Sequence, residues 1–73
     1  MKPPWIAHPE IEFMSIGWRM GPGEAYWDKF DAWYKALTPD RRDKYERENP
    51  EPESWVGFYA RKRAHIASQR NAN

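Results

Sequence analysis

The stretch GEAYWDKFDAWYKAL, residues 23–37, decides how this chain folds. At ~100° per residue its large apolar side chains fall within an arc of roughly 120°, which is typical of a helix with one buried face. On the opposite face, Asp31 and Lys35 are spaced to pair one turn apart. The pattern predicts a central helix at 24–37 whose buried face carries Tyr26, Trp27, Phe30, Trp33, Tyr34 and Leu37.

Two further helices are predicted after the central one. Thr38 and Pro39 give a start signal, an N-cap residue followed by proline at the first helical position, for a helix at 39–48. That segment is polar except for Tyr45, which should anchor it to the core. Ser54 can cap a third helix at 54–67, whose inward side chains would be Trp55, Phe58, Tyr59 and Ile66.

The first twenty residues are predicted to lie outside these helices. Pro3, Pro4 and Pro9 favour an extended arm over residues 1–10. Residues 11–20 alternate in polarity enough for a short β-hairpin, although an irregular loop with the same contacts fits them almost equally well. Either form would have to pack on the central helix, because a lone hairpin is barely stable in water.

The expected fold is therefore a mainly α domain of three helices, with the extended N-terminal segment packed on the aromatic helix. Residues 1–67 would form one globular domain, and residues 68–73, which have nothing large to bury, a disordered tail. The chain has 73 residues and no cysteine, so its core must be built without disulfides. No apolar run approaches the ~20 residues of a membrane span. We expect a cytoplasmic monomer.

Charge is unevenly distributed along the chain. Residues 1–59 carry an excess of three acidic side chains, and residues 60–73 an excess of four basic ones. The basic end could make auxiliary electrostatic contacts with nucleic acid or with an acidic protein surface. A solvated helix face explains the same charges and is favoured, so nucleic-acid contact is expected to be secondary. The auxiliary residues are Arg61, Lys62, Arg63 and Arg70.

Catalytic chemistry has little support in the sequence. His8, Glu10 and Glu12 form the one cluster that resembles a metal site, but metal sites need more convergent ligands, and a chance grouping is favoured. The glycines within residues 17–23 match neither the dinucleotide fingerprint nor the P-loop, and tight turns explain them better. The prediction is a protein that is not an enzyme and holds no metal or cofactor.

A protein-binding surface is predicted in the N-terminal arm and the segment after it. The prolines stiffen the arm, which reduces the entropy lost when it docks. Its apolar side chains are surplus to a helical core, and such side chains suit the anchors of a small interface. The alternative is that the arm simply covers the core. The predicted partner-binding residues are Trp5, Ile6, Ile11, Phe13 and Arg19.

Three stretches carry a resemblance to a known class of protein: SIGWRMG at 15–21, the aromatic helix at 26–37 and PEPESWVGFY at 50–59. Together they resemble small bacteriophage-encoded transcription regulators that bind the host RNA polymerase, and the likeness spans roughly residues 3–60. It implies attachment to the large polymerase subunits in the host bacterial cell, interference with σ-dependent initiation, and antitermination. No catalytic residues come with it.

Two other classes of function stay open. One is a small nucleic-acid-binding protein that uses the basic C-terminal helix, and the other is a phage inhibitor of a different host enzyme, such as a nuclease or a defence enzyme. The salt dependence of DNA binding would distinguish the first from a polymerase ligand. Identification of the partner would distinguish the second.

Overall fold

The computed structural model describes the backbone of residues 1–71 and the side chains of residues 1–68. Its helices are α1 at Pro4–Ala7, α2 at Gly21–Ala36, α3 at Pro39–Glu48 and α4 at Phe58–Asn71, with 3₁₀ turns at Ile16–Arg19 and Glu53–Trp55. The described residues contain no strand. The prediction of a mainly α domain with three principal helices is confirmed, and residues 11–20 form the loop rather than the hairpin.

The N-terminal segment was predicted to be extended over residues 1–10. It is not extended throughout, because α1 forms one helical turn within it. Pro4 occupies the first helical position, where the missing N–H would have had no partner in any case. The chain start is held over the other helices by two tyrosines. The Tyr26 hydroxyl donates a hydrogen bond to the Lys2 carbonyl. The Tyr45 hydroxyl donates to the Met1 carbonyl at 2.9 Å.

Helix α2 begins at Gly21, three residues before the predicted start. Gly23 lies buried in the first turn of this helix. The predicted apolar face is correct in direction, although only Phe30 and Tyr34 are fully buried. The other four members are half-buried and pack against the cluster from its edges: Tyr26, Trp27, Trp33 and Leu37.

Helix α3 begins as predicted, with the Thr38 hydroxyl accepting a hydrogen bond from the backbone N–H of Arg41 at 3.3 Å. Tyr45 is buried and joins α3 to the core, which confirms its predicted role. Arg42 connects α3 to the end of α2, since its guanidinium donates to the carbonyls of Tyr34 and Lys35 at 3.1 and 2.9 Å. These carbonyls lie in the last turn of α2, where the Tyr34 carbonyl also accepts from the backbone N–H of Leu37 at 3.2 Å, so Arg42 adds a C-terminal cap from α3.

Helix α4 starts at Phe58, four residues later than predicted, and Ser54 is not its cap. A turn at Gly57, whose φ of +97° suits glycine, separates the 3₁₀ turn from the helix. The carboxylate of Glu51 accepts hydrogen bonds from the backbone N–H groups of Gly57 at 3.1 Å and Tyr59 at 2.6 Å. Glu51 thus satisfies the exposed donors at the positive end of α4.

The inward side chains predicted for the last helical region are all buried: Trp55, Phe58, Tyr59 and Ile66. Ser68, the first residue of the predicted disordered tail, lies within α4. The rest of the predicted tail, residues 69–73, lies outside the part of the chain whose side chains the structure describes. Aromatic rings therefore fill most of the core where α2, α3 and α4 meet.

Candidate functional site

The five predicted partner-binding residues are divided between core and surface. Trp5 is half-buried, with its ring 5.4 Å from that of Trp55 and 5.5 Å from that of Phe58. Phe13 stacks on Trp55 at 4.8 Å and an interplanar angle of 20°. Ile11 is also half-buried and packs against the same cluster. For these residues the structure supports the alternative that the arm covers the core.

Ile6 and Arg19 are the two predicted residues that lie on the surface. Ile6 is 56% exposed on α1, and Arg19 is exposed at the end of the first 3₁₀ turn. Arg19 makes no ion pair or side-chain hydrogen bond within the part of the chain that the structure describes. The predicted surface is therefore not continuous, and Arg19 belongs to a different exposed segment from Ile6.

Lys62 does not belong to a basic surface, which corrects its predicted role. Its side chain is only 6% exposed and forms an ion pair with Asp31, so that Asp31 does not pair with Lys35 as expected. The Lys62 Nζ lies 3.9 Å from the centroid of the Trp27 ring, where a cation–π contact is favourable. Burial lowers the pKa of Lys62, and the hydrogen bond to Asp31 opposes that effect.

The other basic residues of α4 differ in their availability. Arg63 is bound to two carboxylates of α3, to Asp43 at 3.0 Å and to Glu46 at 2.7 Å. Arg61 is exposed and makes no ion pair among the described residues. The side chain of Arg70 lies outside the described part. The predicted basic end therefore has fewer cations available for a partner within residues 58–68, because one cation is buried and another is already paired.

Residues 13–20, here called the 13–20 loop, contain three large apolar side chains that are exposed to solvent. Met14 is 64% exposed, Ile16 72% and Met20 60%. The alternating polarity of residues 11–20 includes Ile16 and Met20, but it gives no sign that Met14 would be exposed. The loop that forms in place of a hairpin turns these side chains outward.

The 13–20 loop is held in place by contacts on its inner side. Trp18 is buried, and its indole N–H donates to the Glu12 carbonyl at 2.9 Å. The loop backbone also approaches α2 very closely, because a Cβ added at Gly23 would lie 2.2 Å from the carbonyl oxygen of Gly17. Only glycine fits at position 23, so Gly17 and Gly23 serve close packing, whereas Gly21 allows a turn with a φ of +54°.

Met14 adopts a backbone conformation that is unusual for its residue type. Its φ is +67°, in the left-handed region where a Cβ costs roughly 1–2 kcal/mol. Glycine or asparagine is the common choice in such a place. Residues held in this way are concentrated at functional sites, and here the consequence is an exposed methionine at the outer edge of the loop.

A cleft of about 370 Å³ lies between the 13–20 loop, α2 and α4. Its floor is aromatic, from Phe13, Trp18 and Trp27. Its charged residues are two arginines and two carboxylates, none of which forms a direct ion pair within residues 1–68: Arg19, Arg61, Glu24 and Asp28. The cleft can therefore receive a partly apolar group that carries hydrogen-bonding or charged atoms. Two of the predicted partner residues, Phe13 and Arg19, line it.

The histidine–glutamate cluster does not converge on a metal position. His8 Nδ1 lies 3.2 Å from a carboxylate oxygen of Glu10, and its ring packs edge-on against Trp18 and Tyr26. A backbone hydrogen bond and His8 lower the pKa of Glu10. Within the described residues, no group of three histidine, cysteine, aspartate or glutamate side chains could hold a metal ion.

No protein-family model, no curated protein and no solved structure matches this chain. In residues 1–71, no helix has both the length and the apolar character needed to cross a bilayer. The candidate site is an exposed apolar loop beside a charged cleft.

Proposed function

We propose that this chain is a regulator that acts by binding another protein through its 13–20 loop and the adjoining cleft. The observation that carries the proposal is Met14, a large apolar side chain that is exposed although its backbone conformation is costly for methionine. Met14 is not among the side chains that pack against the core, so core burial does not offset the cost of its backbone conformation. Burial of the side chain against a partner would offset that cost.

The loop offers enough apolar surface to anchor a small interface. Met14, Ile16 and Met20 would each contribute about 1.5–3 kcal/mol if fully buried on binding. Association has costs of its own, so only part of this energy would appear as affinity. Arg19, beside these side chains, could pair with a carboxylate of the partner and fix the orientation of the complex.

Bacterial RNA polymerase is the partner that we propose. The stretch SIGWRMG, residues 15–21, is one of those that resemble phage regulators of the polymerase, and it lies largely within the 13–20 loop. On this proposal the chain attaches to the large polymerase subunits, interferes with σ-dependent initiation and promotes antitermination. It does so by occupying a surface and not by catalysis.

The test is a direct affinity measurement with purified bacterial RNA polymerase. A fluorescently labelled chain is titrated with core enzyme and with holoenzyme, and its anisotropy is followed. Ile16→Ser and Arg19→Gln should each weaken binding about tenfold, since they remove an apolar anchor and a charged one. In the same assay, Val56→Ser is the control, because Val56 is 69% exposed but lies outside the loop.

Three results would contradict parts of the proposal. No binding to either form of the polymerase would reject this partner. Binding that Ile16→Ser and Arg19→Gln leave unchanged would place the interface elsewhere on the chain. Equal binding to core enzyme and holoenzyme, with no effect on transcription from a σ-dependent promoter, would reject interference with initiation.

A further inference from the structure

A second groove lies on the other flank of α2, between that helix and α3. It has a volume of about 320 Å³ and is lined by Trp33, Leu37, Arg41, Lys44, Tyr45 and Glu48. Trp33 is half-buried, and its ring packs against Tyr45 with 4.9 Å between the ring centroids. Part of the indole therefore remains available at the groove, supported from behind by a buried ring.

The groove is cationic. Arg41 and Lys44 line it, and neither makes an ion pair or a side-chain hydrogen bond within the described residues. Lys29 is exposed and lies four residues before Trp33 on α2, on the same side of the helix. The only acidic side chain among the lining residues is Glu48.

The N-terminal segment adds a further cation near this flank of α2. The carbonyl of Lys2 is held by the hydroxyl of Tyr26, which lies two helical turns before Trp33 on the same face. Lys2 is exposed. The positive side chains thus extend along α2 from its first half to the groove, a span on the order of 10 Å.

We propose that this groove binds single-stranded nucleic acid. A nucleotide combines a planar base with an anionic phosphate, and the groove combines the accessible indole of Trp33 with Arg41 and Lys44. Stacking of a base on an aromatic side chain tolerates any sequence, and phosphate contacts add affinity that falls with salt. Stacking on Trp33 needs the free face of a base, and in a duplex both faces of each internal base are covered by its neighbours.

An acidic polypeptide would also be attracted to the cations, but it makes no particular use of the indole. The partly accessible aromatic ring of Trp33 is therefore the observation that favours nucleic acid. The basic surface also differs from the one predicted at the C-terminal helix, where Lys62 is buried and Arg63 is paired. This inference does not rest on the proposed polymerase contact, since the two grooves lie on opposite flanks of α2 and can be occupied together.

The probe is a fluorescein-labelled oligothymidylate of about 15 nucleotides, followed by anisotropy at 50 and 200 mM salt. The full chain should bind it, with affinity falling as salt rises. The double variant Arg41→Gln/Lys44→Gln should lower the dependence of log affinity on log salt by about 1.4, which corresponds to two phosphate contacts on a single strand. Trp33→Leu should weaken binding about tenfold at either salt concentration.

A matched control is the double variant Arg19→Gln/Arg61→Gln, which removes the same charge from the cleft on the other flank. Its affinity for the oligonucleotide should change less than twofold. All four substituted cations are exposed and make no ion pair within the described side chains, so these variants should fold normally. Melting curves followed by circular dichroism check that they do. If Trp33→Leu unfolds, Trp33→Phe replaces it, because that variant keeps an aromatic ring at this position. Trp33→Phe should retain most of the affinity for the oligonucleotide.

Any of three results would overturn the proposal. The chain could fail to bind the oligonucleotide at 50 mM salt, the control variant could lose as much affinity as Arg41→Gln/Lys44→Gln, or the chain could bind a duplex of the same length equally tightly. Competition by poly-glutamate as strong as that by unlabelled oligothymidylate, together with unchanged affinity of a folded Trp33→Leu variant, would assign the groove to an acidic polypeptide instead.

Discussion

Residues 3–11 and the 13–20 loop are neighbouring segments, both rich in apolar side chains, but the first closes the core and the second leaves much of its apolar surface exposed. Trp5 is surrounded by the rings of Trp55, Phe58 and Tyr59 at 5.4 to 5.8 Å. In the loop, Trp18 alone is buried, and the side chains of Met14 and Ile16 point to solvent. Apolar content by itself therefore does not locate an interface.

The difference arises from where the core has room. The break at Gly57 separates Trp55 from α4, and the side of Trp55 and Phe58 that α2 does not cover is filled by Trp5 and Phe13. Phe13 lies at the border between the two segments, since it stacks on Trp55 and also lines the cleft. Beyond Phe13 the loop buries only Trp18, and the side chains of Met14, Ile16 and Met20 stay exposed.

The largest expected effect comes from alkaline pH, which should loosen the N-terminal segment before the loop. The hydroxyls of Tyr26 and Tyr45 hold the chain start, and burial raises the pKa of both. Burial and the hydrogen bond to Glu46 raise the pKa of Tyr34 to about 12. Each such tyrosine ionises first in the unfolded chain, so its contribution to stability is complete below pH 10 and falls as the pH rises above that value. For Tyr34 alone the loss is up to about 1.4 kcal/mol per pH unit until about pH 12, and the ionisation of Tyr26 and Tyr45 adds to it.

Urea denaturation at several pH values measures this loss. Tyr45→Phe removes one titrating group, so its stability should depend less steeply on pH above 10, although its stability at neutral pH is lower. The 13–20 loop is held by the indole of Trp18 and by the close approach of two glycines, neither of which titrates. A parental stability that stayed constant from pH 9 to 12 would show that these hydroxyls do not matter to the fold.

Trp5→Ala should have the next largest effect, on stability and not on binding. Removal of the indole leaves a cavity against Trp55, Phe58 and Tyr59 and should lower the free energy of unfolding by roughly 3 kcal/mol. Ile6→Ala, one residue later but on the surface, should change it by less than about 0.5 kcal/mol. If the two variants melted at the same temperature, the assignment of Trp5 to the core would be wrong.

The sequence predicted the elements whose signals are local. The apolar face of α2, the Thr38 cap and the anchoring role of Tyr45 depend on spacing within one helix or on adjacent residues, and the structure has them. The burial of Trp5 depends on where a distant turn places Trp55. The hydrogen bonds of Glu51 at the start of α4 depend on a loop that folds back on itself. Neither leaves a periodic signal.

The candidate site was predicted less well than the fold, for a related reason. Lys62 lies in a run of basic residues that looks solvated, but the approach of α2 brings Asp31 and Trp27 around it. Met14 was missed because a left-handed methionine has no local sequence signature. Arg19 was predicted from its apolar neighbours; it is exposed beside Met20, and its role in binding stays a prediction.

Gly23→Ala should separate the 13–20 loop from α2. The new Cβ would meet the Gly17 carbonyl at 2.2 Å, so the loop must shift, at a cost of about 2 kcal/mol in stability. Binding of the partner should weaken as well, because the exposed side chains move with the backbone. Gly17→Ala is the milder comparison, since its nearest contact is a methyl group of Ile11 at 2.9 Å, which can turn away. Equal stability of the parent and Gly23→Ala would mean that the close approach is not maintained in solution.

The smallest expected effect is also the one of opposite sign: Met14→Gly should stabilise the chain while it weakens binding. Glycine relieves the cost of the left-handed conformation, roughly 1–2 kcal/mol, and part of that gain is offset by the greater freedom of glycine in the unfolded chain. A net gain of about 0.5–1 kcal/mol in unfolding free energy is expected.

Met20→Gly is the matched control, because Met20 is similarly exposed but has a φ of −140°, where glycine relieves nothing. That variant should be slightly less stable than the parent, and both should bind the partner less tightly. Destabilisation by Met14→Gly would remove the strain argument, and unchanged affinity in both variants would show that the loop presents these methionines to no partner.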